Sequence, residues 1–131
     1  MDREEFINEF SSTDIKSKDD MYFNLDKLNT EAISHDSLHF NFEGKHIRGL
    51  TSLVIFMEEM SELQKEMSKV IRNKGDRFNI LEELADVSIC IERIKLLLNI
   101  SDEELYKAMQ VKMNRFEKRL KQENEEFDHS S

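Results

Sequence analysis

The sequence predicts an all-α protein, an antiparallel helical bundle, on three observations. The chain of 131 residues has no proline and only three glycines, Gly44, Gly49 and Gly75, too few punctuators for the many tight turns of a sandwich or barrel. Charged residues make up 36% of it and apolar ones 38%, a balance that suits long helices with one wet face. Its middle third carries two uninterrupted heptad-like apolar seams. The length fits one domain with one core.

In chain order, Asp2 to Phe10 reads as a short helix with Phe6, Ile7 and Phe10 inward, and Asp19 to Leu28 as a weaker one. His35 to Gly49 reads as loop or as an entry segment to the first long helix. Residues 1–48 thus form an N-terminal helical and loop segment, ahead of a helical core over 49–122. The first long helix runs from Leu50 to Arg72, because Leu53, Phe56, Met60, Leu63, Met67 and Val70 recur at intervals of 3 and 4. Gly75, just past a basic last turn, is its stop signal. The second runs from Phe78 to Leu98 on Ile80, Leu84, Val87, Ile91, Ile94 and Leu98, and Leu81, Ala85, Ile89, Leu96 and Leu97 widen its apolar surface. A helix apolar on more than one face is buried on more than one face, so other helices of the chain or a partner subunit cover it. The third starts at Ser101, whose pairing with Glu104 makes a capping box, and its apolar side is Leu105, Ala108, Met109, Met113, Phe116 and Leu120. It ends near Gln122, leaving residues 123–131 as a frayed acidic terminus.

Charge excludes some functions. With 28 acidic and 19 basic residues the net charge is −9, which disfavours nucleic-acid coating. Cys90 is the only cysteine, so an internal disulfide and a thiolate zinc site are excluded. A lone thiol suits a reducing, cytoplasmic setting. The N-terminal residues lack the basic and apolar regions of a signal peptide, and no apolar run approaches a membrane span.

Two acidic groups stand out, Glu58-Glu59-x-x-Glu62 and Glu82-Glu83-x-x-Asp86. On a helical wheel Glu59 and Glu62 lie roughly 70° and 130° to one side of their seam, and Glu83 and Asp86 roughly 60° and 120° to the same side of theirs. Like-handed flanks of antiparallel neighbours meet along one edge, so the four carboxylates line one edge of the hairpin. The two pairs differ in height by about 7.5 Å, which an asymmetric loop can absorb. A solvated acidic face would carry lysine or arginine three or four residues from each acid; Glu59, Glu83 and Asp86 have none. Repeated like-charge pairs cost stability unless a cation joins them. All-oxygen ligands select hard ions, Mg²⁺ first and Mn²⁺ second. A di-iron carboxylate bundle would need two helical Glu-x-x-His pairs, and the two candidates, Glu43-x-x-His46 and Glu126-x-x-His129, lie outside the long helices.

The third helix reverses the charge. From Lys107 to Lys121 there are six basic residues and one acid, Glu117. Dipole compensation accounts for those in the last turn, Lys118, Arg119 and Lys121. Lys112, Arg115 and Arg119, spaced 3 and 4, form a stripe suited to phosphate oxygens. Carboxylate-bound Mg²⁺ together with a basic stripe is what a polyphosphate requires.

Glu58-Glu59-x-x-Glu62, twenty residues, then Glu83-x-x-Asp86, followed by Asn99 to Leu105 and by Lys112-Met113-Asn114-Arg115-Phe116-Glu117-Lys118-Arg119, resembles the MazG-like all-α nucleoside triphosphate pyrophosphohydrolases over residues 49–120. The resemblance implies hydrolysis of a nucleoside or deoxynucleoside triphosphate to the monophosphate and pyrophosphate with Mg²⁺. It implies Glu59, Glu62, Glu83 and Asp86 as metal ligands. Glu58 would support the site or orient the attacking water, and Arg115 and Arg119 would contact phosphates. Many relatives have lysine in place of Arg115. The resemblance also implies a homodimer or homotetramer. A relative specialised for dUTP, dCTP or phosphoribosyl-ATP remains open, as does a non-enzymatic helical nucleotide-binding or interaction module. Base and sugar recognition would come from residues 1–48, where His39, Phe40, Phe42 and His46 are candidates, or from a partner subunit; packing and loop polarity also account for these four. Cys90 and the methionines read as core residues.

Overall fold

The computed structural model describes residues 2–130, with side chains through Glu126. The elements are α1 (Arg3–Ser12), α2 (Lys18–Ser34), β1 (His39–Phe42), β2 (Lys45–Arg48), α3 (Leu50–Ile71), α4 (Arg77–Leu97) and α5 (Asp102–Ser130). Residues 1–99 form one compact unit and residues 100–131 another. Among the described residues no helix is long and apolar enough to cross a membrane.

Local chemistry sets the boundaries. The Asp2 side chain caps α1 by accepting from the Glu5 amide, and the Ser17 hydroxyl caps α2 by accepting from the Asp20 amide. Asp76 Oδ1 caps α4, accepting from Phe78 and Asn79 at 3.0 and 3.1 Å. These bonds satisfy amides that a first helical turn leaves without partners. In the second unit Ser101 and Glu104 make the expected capping box: Ser101 N donates to Glu104 Oε1 at 3.2 Å and Glu104 N donates to Ser101 Oγ at 3.1 Å. α5 continues past Gln122 through Glu123-Asn124-Glu125-Glu126, where neither glycine nor proline interrupts it.

Besides this extension of α5 beyond the expected end, three local features depart from the sequence expectation. The weak helix of Asp19 to Leu28 is the middle of a longer one that reaches Ser34. The stretch after it is an antiparallel hairpin with His39 opposite Arg48 and Phe42 opposite Lys45. Its two-residue turn, Glu43-Gly44, has φ of +49° and +75°, the left-handed pair that matches hairpin twist. The third departure is the stop of α3. Asn73, at φ +59°, takes the left-handed position. Lys74 N donates to Lys69 O at 2.8 Å and Asn73 N to Val70 O at 3.0 Å, the paired bonds of a Schellman motif. Gly75 serves close packing instead: a Cβ there would lie 2.8 Å from the Val70 Cα.

Within the first unit α4 is the central helix, in contact with α3, α2 and α1. α1 docks through Phe6 and Phe10, which pack edge-on against Phe78 at centroid separations of 6.5 and 5.6 Å, and through an Arg3–Asp76 ion pair. Asn29, 1% exposed, ties α2 to α4: its amide donates to Ile89 O at 3.4 Å and its carbonyl oxygen accepts from Arg93 Nε at 2.9 Å.

The helix faces are arranged unlike the expected seams. The inward stripe of α4 is Glu83, Asp86, Cys90, Arg93 and Leu97, spaced 3, 4, 3, 4, and Cys90 and Leu97 are buried in it. On α3, Ser52 is buried and Glu59 and Glu66 follow it at heptad intervals, both half-buried. Met60, Met67 and Val70 of α3 and Leu84 and Ile91 of α4 are 39–52% exposed. Among the described residues Cys90 and Leu97 are the fully buried apolar ones. Few apolar side chains of the described residues are therefore fully buried.

Candidate metal centre

The acidic residues on the inward stripes meet. Glu59 comes from the middle of α3, and Glu83 and Asp86, one turn apart on α4, face it. Each offers a carboxylate oxygen, and the three oxygens lie within 4.8 Å of one another. All three residues are half-buried. Asp76, extended at φ −131° and ψ 131°, belongs to the asymmetric connection that lets α4 bring both of its acids level with Glu59.

The electrostatics record the crowding. Burial, then the charges of Asp86, Glu59, Glu62 and Glu82, pushes the Glu83 carboxyl up to about 7. Glu59 is raised as well, first by burial and then by the charge of Asp86 close beside it. Glu83 Oε2 is buried with no hydrogen-bond partner. Carboxylates ordinarily separate, pair with a base or accept amide hydrogens. Three of them converging, one with an orphaned oxygen, form a donor set for a hard divalent cation.

The other expected ligand, Glu62, stands one turn further along α3. It is exposed and accepts from Lys65 Nζ at 3.1 Å; its charge reaches Glu59 and Glu83, but it is not one of the three converging residues. Glu58 is exposed and lines a shallow groove with Val54, Met57, Ser61 and Glu62. Lys112, Arg115 and Arg119 are exposed along α5 in the second unit. The hairpin brings His39 and His46 together, their rings stacked at 4.6 Å and 3° between planes. Phe42 is exposed and Phe40 half-buried.

Sequence reasoning missed Asn29, Asp36 and Arg93. Asp36 fixes the start of α3: Oδ1 accepts from Leu38 N at 3.0 Å and Thr51 Oγ1 at 2.9 Å, and Oδ2 accepts from Thr51 N at 2.8 Å. The Leu38 amide, then the Thr51 hydroxyl and amide, hold its carboxyl below the usual range against the opposing effect of burial. Arg93 was legible only as the next position of the stripe Glu83, Asp86, Cys90. Burial raises the Cys90 thiol, Arg93 opposes this, and Glu59 and Asp86 add to it; the thiol thus feels both the acids and the guanidinium.

No family model matches the chain, and neither a curated protein nor a solved structure matches it.

Proposed function

We propose that the protein is a Mg²⁺-dependent nucleoside triphosphate pyrophosphohydrolase of the MazG-like type, releasing pyrophosphate and a nucleoside monophosphate. The observation that carries this reading is the convergence of Glu59, Glu83 and Asp86, with an orphaned oxygen on Glu83. A structural role accounts poorly for a buried carboxylate oxygen left without a partner, at a cost of about 1–3 kcal/mol.

In this reading Glu59, Glu83 and Asp86 hold the cation, and Glu62 joins them by releasing Lys65. When bound, a hard divalent cation lowers the pKa of its water and neutralises charge on the phosphates. The residues of the chain do the rest. Glu83, ionising near neutrality, exchanges its proton for the cation at physiological pH. Glu58, exposed beside Glu62, orients the attacking water. Lys112, Arg115 and Arg119 hold phosphate oxygens through charge-assisted bonds.

We also propose a homodimer or homotetramer in a reducing, cytoplasmic compartment. The exposed seams of α3 and α4 support an oligomer, because contiguous apolar strips of this kind mark association surfaces.

The test is a turnover panel of the common NTPs and dNTPs with Mg²⁺, with products resolved by chromatography. Monophosphate with pyrophosphate, abolished by Glu83→Gln, is expected. Diphosphate with orthophosphate would refute the bond assignment. No product from any nucleotide, with Mn²⁺ binding intact, would make the protein a binding module.

A further inference from the structure

Resting on the nucleotide reading above, we infer that Arg93, positioned by Asn29 at the wall of an open cavity between α2, α3 and α4, binds the nucleobase of the substrate and selects bases that present a keto oxygen beside a ring N–H. The cavity measures about 320 Å³, and Asp36, Ser37, Thr51, Ser52, Ile55 and Arg93 are among its lining residues.

The guanidinium is the unusual group here. Arg93 is half-buried, and its Nε donates to the neutral carbonyl oxygen of Asn29. Among the described residues no carboxylate pairs with it, although the chain has 28 acidic residues. Charged groups withdrawn from water are ordinarily paired. Arg93 lines the cavity, its only hydrogen bond among the described residues is the one from Nε, and a guanidinium is donor-only, so its Nη groups remain available as donors.

Placement ties the cavity to the acidic site. Arg93 follows Asp86 by seven residues, two turns on the same face and about 10.5 Å along the axis. Ser52 and Ile55 precede Glu59 by seven and four residues on the facing side of α3. Cavity and acids thus lie along one α3–α4 interface, separated on the scale of a nucleoside between its 5′ oxygen and the far edge of its base.

The donor and acceptor pattern sets the preference. Asp36 already accepts three hydrogen bonds, so of its roughly four acceptor positions one is left for a ring N–H. Arg93 dominates, since charge-assisted bonds are about twice as strong as neutral ones. A keto oxygen with a ring N–H beside it satisfies both groups, whereas cytosine and adenine turn an unprotonated ring nitrogen toward the Asp36 carboxylate and an exocyclic amino group that sets donor against donor toward Arg93. Uracil, thymine and guanine fit; cytosine and adenine fit poorly.

The experiment measures binding of UMP, GMP, CMP and AMP to the full chain by calorimetry in chelator, for the native protein and for Arg93→Gln. Circular dichroism checks the fold. We expect UMP and GMP to bind at least about tenfold tighter than CMP and AMP, and Arg93→Gln to erase that difference. If Arg93→Gln does not fold, Arg93→Lys, which keeps the charge and loses the planar fork, is expected to lose most of it. Equal binding of the four nucleotides, no binding, or a preference unchanged in the variant would overturn the inference and leave Arg93 as a clamp between α2 and α4. Preferential binding without hydrolysis in Mg²⁺ would overturn the pyrophosphohydrolase reading alone. Hydrolysis at equal rates for every base would overturn the base pocket alone.

Discussion

Glu59 of α3 and Asp86 of α4 bring carboxylate oxygens within 4.8 Å of each other across the helix interface, although both are acids and neither has a base three or four residues away. Two carboxyl groups at that distance hold a proton between them or separate. Here the packing of α3 on α4 keeps them together with Glu83, and the protonated form of the cluster is favoured.

Glu83→Gln tests that crowding directly. It removes a charge from the cluster and supplies amide hydrogens to its neighbours. In chelator the variant is expected to melt several degrees higher than the native protein, as for a gain of about 1 kcal/mol, and to lose the stabilisation that Mn²⁺ confers. Glu62→Gln is expected to weaken Mn²⁺ binding less than Glu59→Gln does, because Glu62 stands outside the three converging residues. A thermal-shift titration measures all three.

The pH dependence has a definite sign. Glu83 titrates near 7 in the folded chain against an ordinary value of 4.5, so between these values the folded state binds more protons than the unfolded one. Its contribution to stability is present below about 4.5 and is lost as pH rises through about 7. The melting temperature in chelator is expected to fall across that window. Mn²⁺ affinity is expected to rise across the same window, with proton release on binding. A shallower fall for Glu83→Gln than for the native chain would identify the group, the remaining slope belonging to Glu59, which is raised as well.

Asn29 is expected to matter to the fold out of proportion to its size. Asn29→Ala leaves Arg93 Nε without its acceptor in a half-buried position, a loss of about 2–3 kcal/mol in urea unfolding. Asn29→Asp should restore much of it by pairing the guanidinium with a carboxylate.

At the α3–α4 connection Asn73→Gly is expected to be neutral or slightly stabilising, since the position is already left-handed and glycine adopts it freely. Gly75→Ala is expected to destabilise by about 1–3 kcal/mol through overpacking against the Val70 backbone. Equal effects at the two positions would show that the Schellman assignment is wrong.

Leu84→Glu addresses the exposed seam. Sedimentation is expected to show the native chain associated and the variant monomeric, with helicity retained, because Leu84 is 46% exposed within one chain.

The long helices, the capping box at Ser101 and the acids of interest were legible from the order of residues. Each of these is local: apolar periodicity, an i,i+3 cap, and the lack of a base one turn away from Glu59, Glu83 and Asp86 are all readable along the chain. Which stripe faces inward was settled by packing between helices. Wheel geometry set the acids on a flank and the apolar seams inside, yet the single chain buries Cys90 and Leu97 on the acidic stripe and leaves Met67, Leu84 and Ile91 exposed. A wheel ranks faces by hydrophobicity and carries no information about which neighbour covers each one. The same limit hid Asn29 and Arg93, whose meeting 64 residues apart depends on how α2 lies across α4. It also hid the hairpin, whose Glu43-Gly44 turn conformation becomes apparent only when Phe40 pairs with Ile47.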